Sequence, residues 1–320
     1  MNRKVIGIGE TVLDIIFKGN DPIAAVPGGS TFNCLISLGR CGVKASFISE
    51  TGNDRVGQRI ISFLEQNGID ASSVSVYPES KSPLSLAFLN ENNDAEYIFY
   101  KDHPKDRLDF NYPEVNKGDI VVFGSYYAVN PVIRPQVQGF LDYARQHGAI
   151  LYYDVNFRAS HKAEVMKLTP NILENLEMAD IVRGSTEDFD VMFRKTDPDV
   201  IYRSQISFYT KKFICTNGSE PVELRADGGL KKQYPVISPN TDHPSPIIST
   251  IGAGDNFNAG FIYGLIKYGI TREVIEAGLS ESQWDSVIDC ALLFSANVCT
   301  SIGNYVDEVF AERMRADLSD

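Results

Sequence analysis

The stretch Ser249-Thr250-Ile251-Gly252-Ala253-Gly254-Asp255-Asn256-Phe257-Asn258-Ala259-Gly260-Phe261 joins a turn stripped of side chains to a legible helix. Phe257, Phe261, Gly264, Leu265 and Tyr268 recur at helical spacing on one face, and Gly269 is a good closing residue. Ala259, Gly260 and Gly264 are small, so a neighbouring element can approach the helix closely. Gly252-Ala253-Gly254 puts the turn directly at the helix start. There unpaired amides point outward and the positive end of the dipole favours an anion.

Outward from this segment, short apolar runs alternate with helical patterns. Strands are expected at Val5 to Gly9, Ala45 to Ser49, Ile120 to Phe123, Ile150 to Asp154, Ile181 to Arg183 and Phe213 to Thr216. Each is nearly continuous in apolar residues, as strands covered on both faces are. Helices are expected at Thr31 to Leu38, at Val56 to Asn67 before Gly68, and at Pro131 to His147 before Gly148. Such alternation predicts an α/β, doubly wound, mostly parallel central sheet flanked by helices. One stretch differs: Leu84 to Leu89, the polar turn Asn90 to Asp94, and Tyr97 to Tyr100 read as a hairpin, to which residues 11–18 add a third strand. A small β-sheet lid over the C-terminal sheet edge would result, built from about 11–28 and 82–105 within one domain spanning 1–320. A hairpin without function is the alternative. No internal repeat, low-complexity tract or linker interrupts the chain.

Composition sets bounds. With 43% hydrophobic residues in 320, the chain can bury a large core. Acidic residues outnumber basic ones, 42 to 30, and the net charge of −12 argues against nucleic-acid or anionic-membrane binding. Local phosphate binding by amides and a metal ion stays compatible with that charge. The five cysteines, Cys34, Cys41, Cys215, Cys290 and Cys299, are scattered, with no Cys-x-x-Cys, and are expected as free thiols in a reducing compartment. His103, His147, His161 and His243 have no metal-ligand spacing and are expected on the surface or in loops. No apolar run is long enough for a signal core or a membrane span, so a cytoplasmic protein is expected.

Asp255 sits in the first turn after the glycines. A plain capping carboxylate would stabilise the helix by about 1 kcal/mol. Capping alone needs no stripped loop, whereas backbone contact with a phosphate does. Phosphoryl transfer relies on positioning and charge stabilisation, which amides and Mg²⁺ provide. A neighbouring carboxylate with an ordinary pKa near 4 can take the acceptor hydroxyl's proton.

Residues 249–260 resemble the C-terminal signature Asp-Thr-x-Gly-Ala-Gly-Asp-x-Phe-x-x-Gly of the ribokinase-like (PfkB) carbohydrate kinases, except at the first position. Gly28-Gly29-Ser30-Thr31-Phe32-Asn33 resembles the family's N-terminal glycine pair. Gly52-Asn53-Asp54-Arg55-Val56-Gly57 resembles its Gly-x-Asp-x-x-Gly, and Asp154-Val155-Asn156-Phe157-Arg158 its Asp-x-Asn-x-Arg. The resemblance covers nearly the whole chain and implies the ribokinase-like fold and ATP-dependent phosphorylation of a sugar. It implies Asp255 as catalytic base and Gly252, Ala253 and Gly254 as the anion hole. Asp14, at the end of Gly9-Glu10-x-x-x-Asp14, would bind sugar hydroxyls with Gly28, Gly29 and Asn33. Arg158 would serve the substrate and Asn156 the nucleotide, both near the phosphates. Thr216-Asn217-Gly218 resembles a nucleotide-binding turn, and Asn297 a position near adenine, on a helix over Ser286 to Ile302 whose first explanation is burial. ATP and Mg²⁺ are the implied cofactors, with K⁺ as a further candidate ion.

Two departures stand out. Gly184-Ser185-Thr186-Glu187 replaces the family's Asn-x-x-Glu, keeping Glu187 for an indirect, water-mediated role at Mg²⁺, and Ser249 replaces the leading Asp. They put metal and phosphate handling in doubt and suit the rival reading, a kinase-like sensor that binds sugar or nucleotide without turnover. A dehydrogenase reading of Gly7-Ile8-Gly9 fails for want of a third glycine, Val12 standing there, and no Walker P-loop exists. The segment Ala95 to Asp102 resembles fructokinase-type members and makes fructose or a related ketose the first substrate expectation, ahead of ribose, 2-keto-3-deoxygluconate and nucleosides. Edge-to-edge pairing of two lids would give a homodimer.

Overall fold

The computed structural model describes residues 3–90, 95–102, 104, 107–237 and 247–319. His103, His243 and residues 91–94 of the expected polar turn lie outside them. In chain order the strands are β1 (Val5–Ile8), β2 (Val12–Lys18), β3 (Asp21–Gly28), β4 (Ala45–Gly52), β5 (Ile69–Asp70), β6 (Val74–Tyr77), β7 (Leu84–Leu89), β8 (Ala95–Tyr100), β9 (Ile120–Gly124), β10 (Ile150–Asp154), β11 (Ile181–Ser185), β12 (Phe213–Asn217), β13 (Glu220–Arg225) and β14 (Lys231–Tyr234). The helices are α1 (Ser30–Arg40), α2 (Arg55–Gln66), α3 (Ser125–Val129), α4 (Arg134–Gln146), α5 (Val165–Met178), α6 (Thr186–Phe193), α7 (Pro198–Ile201), α8 (Ala253–Lys267), α9 (Arg272–Ala277), α10 (Glu281–Val298) and α11 (Glu308–Ser319).

The main sheet runs β14-β13-β12-β11-β10-β9-β1-β4-β5, with β6 also on β4. It is parallel from β12 to β5, and β13 and β14 form an antiparallel edge. Helices on both faces explain why β1 and β9 are apolar throughout and β10 is apolar up to its terminal Asp154. In β9 and β10, Val122 and Tyr152 join the core under α1, α8 and α10, while Val121, Phe123, Leu151 and Tyr153 join the core under α4 and α5. All six expected strands are present. The expected glycine stops also hold, with Gly68, Gly148 and Gly269 at positive φ.

A second sheet, β3-β2-β7-β8, pairs β2 with β7 in parallel and adds β3 and β8 antiparallel at its edges. The hairpin and the third strand are as expected. Strand β3 is an addition that Pro22 and Pro27 hide in the sequence, since proline suits only an edge. Strand β14 escapes a search for apolar runs because it is a polar edge strand, and β13, paired on both sides, because charged residues interrupt its buried Val222 and Leu224. The 131–147 helix starts only at Arg134, and the 286–302 helix runs instead from Glu281 to Val298, opened by a Ser280–Gln283 capping box. Tyr268, grouped with the buried face of α8, is 45% exposed, whereas Asp255 through Leu265 are all buried.

That all-round burial depends on glycine. A Cβ at Gly260 would lie 2.4 Å from Cys290 O and 2.7 Å from Ala291 Cα, and one at Gly264 3.0 Å from Val287 Cα. Helix α10 therefore packs backbone-close on α8. We expect Gly260→Ala to lower stability by about 1–3 kcal/mol, despite alanine's helix propensity advantage of about 1 kcal/mol. Urea denaturation would show it, and a neutral or stabilising result would contradict the packing.

Candidate active site

Two helices begin at the same place. Gly29 caps α1 at φ 131° and Gly252 caps α8 at φ 77°, both in backbone regions that favour glycine. A Cβ on Gly29 would sit 2.2 Å from Glu10 O, so no other residue fits the close approach of this loop to the end of β1. The first bond of α8 runs from Asn256 N to Gly252 O, and the N–H groups of Gly254 and Asp255 take no carbonyl among the described residues. The Asn256 amide donates to Gly252 O (2.8 Å) and Asn304 O (2.9 Å), and Ser37 Oγ donates to Asn256 Oδ1 (2.5 Å). The glycine turn is thus held open from behind. Ser249 keeps the turn role its position needs: its Oγ accepts from Ile251 N (3.1 Å).

Asp255 is buried between the two helix starts. Its Oδ1 accepts from Ser30 Oγ (2.7 Å) and its Oδ2 from Asn33 Nδ2 (2.8 Å). Both partners are neutral, and no ion pair holds the carboxylate among the described residues. Burial raises its pKa, the bonds from Asn33 and Ser30 and the charge of Arg158 pull it down, and Asp154 adds to the rise; the net shift is upward. Asn33 Oδ1 is buried with no partner among the described residues, an acceptor left beside the carboxylate.

Asp14, on β2, reaches the same space. A Cβ on Gly28 would meet Asp14 Oδ2 at 2.6 Å, so the glycine makes room for this carboxylate. Ser85 Oγ of β7 donates to Asp14 Oδ1. Burial pushes its pKa up to about 6; the Ser85 bond opposes this, and the charges of Glu10 and Asp255 reinforce it. Asp14, Gly28, Gly29, Asn33, Gly252, Ala253, Gly254 and Asp255 therefore share one site.

The strand-end residues divide. Asp154 is a structural anchor, accepting from Arg183 Nη1 (2.9 Å) and Asn258 Nδ2 (2.8 Å). Asn156 is buried at φ 37°, a strained position that turns the chain toward the exposed Arg158. The Arg158 side chain has no hydrogen bond or ion pair among the described residues, and its charge acts on Asp255. Thr216 Oγ1 accepts from Arg183 Nη2 (2.6 Å), and Gly218 at φ 55° has open space where a side chain would project. Glu187 is exposed on the first turn of α6, and the buried acid there is Asp188, which accepts from Phe157 N (2.8 Å) and Ser185 N (2.7 Å) in a capping box. Asn297 exchanges hydrogen bonds with Asp307 (2.6 and 3.1 Å), fastening α10 to the cap of α11. Gly184 also has a structural reason, since a Cβ would lie 2.7 Å from the Phe189 ring.

Sequence reading missed Ser30, Arg183, Asn256 and Asn258, whose partners lie far along the chain. It also missed Glu10–Lys101 (2.6 Å) and the buried Glu50–Arg107 pair. Among the described residues no three His, Cys, Asp or Glu side chains converge on a metal position, and no helix is long and apolar enough to cross a membrane. Cys34, Cys41, Cys215 and Cys290 are buried free thiols and Cys299 a half-buried one, as expected.

Amides opening a helix beside a buried, neutrally held carboxylate define a site suited to group transfer from a phosphate. The model of the pfkB family carbohydrate kinases matches residues 3–303, so the chain belongs to that family and is an ATP-dependent phosphotransferase acting on a sugar. It is 30% identical over 255 residues to a 5-dehydro-2-deoxygluconokinase of Geobacillus kaustophilus, covering 75% of this chain and 72% of that protein. A second 5-dehydro-2-deoxygluconokinase, of Geobacillus thermodenitrificans, is 26% identical over 307 residues, 90% of this chain and 85% of the relative. The fold matches a fructokinase of Vibrio cholerae O395 bound to fructose, ADP and calcium (TM-score 0.79, 18% identity, 98% of this chain and 99% of that one). It likewise matches aminoimidazole riboside kinase of Salmonella enterica (TM-score 0.77, 19% identity, 99% and 100%).

Asp14 yields a pH prediction. Its folded-state pKa of about 6 lies above the ordinary 3.8, so the folded state holds the proton more tightly. Stability from this group is present below the lower value and lost as pH rises through about 6, a cost of about 3 kcal/mol once ionised. We expect Asp14→Asn to raise the denaturation midpoint at pH 7–8 and to give no such gain at pH 4. Equal effects at both pH values would overturn the assignment.

Proposed function

We propose that the chain transfers the γ-phosphoryl group of ATP to the primary hydroxyl of a keto sugar acid of the 5-dehydro-2-deoxygluconate class. The observation that carries this reading is the buried Asp255 carboxylate, held by Ser30 and Asn33 instead of a counter-ion, at the first turn of α8. A carboxylate so held keeps lone pairs for an incoming hydroxyl, whereas a structural ion pair would consume them. The acceptor hydroxyl gives its proton to Asp255 as its oxygen bonds to the γ-phosphorus and the bond to the ADP oxygen breaks. The free amides at Gly254 and Asp255 and the dipole of α8 stabilise the charge on the transferring group. Because the transition state is loose, an aspartate serves as base without great basicity.

Asp14 suits the remaining sugar hydroxyls, since a carboxylate accepts from two neighbouring hydroxyls at once. Asn33 Oδ1 adds an acceptor. Thr216 and Gly218 would take the nucleotide, whose flat base or ribose fits the open space above Gly218. Mg²⁺ carried on the nucleotide would supply charge neutralisation at the phosphates. Asp188 is committed to two backbone amides and Glu187 is exposed, so protein contact with such an ion would run through water. The β3-β2-β7-β8 sheet would act as the lid, with Asp14 on its β2 strand.

A sugar acid is favoured over fructose by two features. The relatives at 30% and 26% identity carry the 5-dehydro-2-deoxygluconokinase name. Arg158 is an exposed guanidinium without a partner among the described residues, near enough to Asp255 for its charge to be felt, and a neutral ketose gives it nothing to bind.

An ADP-release screen with ATP and Mg²⁺ across 5-dehydro-2-deoxygluconate, 2-keto-3-deoxygluconate, fructose and ribose tests the substrate. We expect a keto sugar acid to exceed fructose in kcat/KM by about 10- to 100-fold, and Arg158→Ala to remove most of that margin, as the loss of one charged hydrogen bond would. Fructose preferred by the wild-type protein would defeat the sugar-acid reading. Asp255→Asn should lower kcat by about 10²- to 10⁴-fold. The wild-type kcat should fall as pH drops through an aspartate pKa raised above the ordinary range, because only the ionised base accepts the proton. Binding of sugar and ATP without turnover would favour the sensor instead.

A further inference from the structure

Arg183 occupies a place that ion pairing alone does not explain. It stands on β11, opposite Asp154 of β10 and Ile214 of β12 in the parallel register. Its guanidinium is buried and forked: Nη1 donates to Asp154 Oδ1 (2.9 Å) and Nη2 to Thr216 Oγ1 (2.6 Å). Its Cζ lies 5.9 Å from the centre of the Phe257 ring. A Cβ on Gly254 would lie 3.0 Å from Nη2 and 3.3 Å from Nη1. The cation therefore lies flat against the first turn of α8, where the helix already carries positive potential and a cation is unfavourable. Nε is buried with no partner among the described residues. A structural ion pair with Asp154 would form as well with the guanidinium anywhere on that carboxylate. Its location under Gly254 suits an anion arriving on the other side of those amides.

The bond to Thr216 has a second consequence. A hydroxyl has one proton and accepts through its lone pairs. Since Thr216 Oγ1 accepts from Arg183, its proton remains to be donated elsewhere, and Thr216 is half-buried at the end of β12.

We propose that Arg183 is a positioning residue for phosphoryl transfer, joining the anion turn at Gly254 to the Thr216–Gly218 turn and keeping the Thr216 proton turned toward the nucleotide phosphates. One rigid planar fork spans both turns, so ATP that binds at Thr216 has its terminal phosphoryl group aligned with the amides of α8. The inference rests on the reading of 252–255 as the phosphoryl site.

Arg183→Lys keeps the charge but has no fork to reach Asp154 and Thr216 together. With the full-length protein, we expect it to raise KM for ATP and lower kcat, each by roughly tenfold or more, with KM for the sugar unchanged. Thr216→Val should raise KM for ATP by a similar factor in the wild-type background and add little in Arg183→Lys, because the two act as a unit. Thr216→Ser should restore the wild-type value. A role in folding alone would lower the melting temperature of Arg183→Lys and leave ATP and sugar constants of the folded enzyme unaltered, which overturns the proposal. If Arg183→Lys does not fold, the Thr216 pair still decides: an unchanged ATP KM in Thr216→Val defeats the proposal, and a raised KM rescued by serine supports it. Asp255→Asn is the separate control, since its full activity would remove the phosphoryl-site reading, whereas an inactive Asp255→Asn beside an unaffected Arg183→Lys would sink only the role of Arg183.

Discussion

The molecule is organised around a buried carboxylate shared by two helix starts. Asp255 belongs to α8, yet both of its hydrogen-bond donors, Ser30 and Asn33, belong to α1, over two hundred residues earlier in the chain. Desolvating an ionised carboxylate is expensive, and two neutral donors offset only part of that cost, as the upward pKa shift records. The rest of the structure holds the arrangement in place. The central sheet fixes where β1 ends and therefore where α1 starts, the glycines of α8 let α10 lock it from behind, and Asn256 and Asn304 brace the turn. The group is held by neutral donors without being neutralised.

Several motifs that mark the family act here through packing. A Cβ on Gly57 would lie 2.0 Å from Gly52 O, and one on Gly52 2.4 Å from Ser80 O. Between them Asp54 caps α2 through Gly57 N (2.9 Å) and takes both the N–H (2.9 Å) and the hydroxyl (2.7 Å) of Ser82, the residue two before β7. This group pins the root of the small sheet to the end of β4. Beyond β8, at the same end of that sheet, Arg107 pairs with the buried Glu50 of β4, again fastening the connection to the main sheet. The small sheet is thus anchored at both of its β7-β8 roots. Its outer strand β8 keeps Ile98, Phe99 and Tyr100 exposed, Tyr100 by 57%.

Much of the fold could be read directly. The six inner strands announce themselves because helices cover both faces and leave few polar positions, and the glycine stops work because a positive φ ends those helices tightly. The elements missed are those whose sequence signal is weak for a physical reason: β3 carries two prolines, β13 is interrupted by charged residues, and β14 is a polar edge. In the site, Asp255 stood out because a capping carboxylate alone needs no run of small residues before it, whereas Asp14, Gly28 and Gly29 stood out through the family resemblance. Glu187 and Asn297 have surroundings that their spacing did not announce. One position along a helix separates the exposed Glu187 from the buried Asp188, and spacing alone does not say which way the first turn faces. The Asn297 amide is taken up by Asp307, a partner that only the course of the chain brings near.

The sequence alone determined the sheet class, the glycine ends of several helices and the residue types able to bind an anion and accept a proton, because periodicity, glycine and charge are local properties. Only the tertiary structure decided which of those groups meet. Burial and long-range hydrogen bonds left Asp255 without an ion pair among the described residues, committed Asp154 and Asp188 to structural work, and set the guanidinium of Arg183 against the turn at Gly254. Distance through space and exclusion of water set the chemistry of a carboxylate or guanidinium, and neither quantity is written in the order of residues.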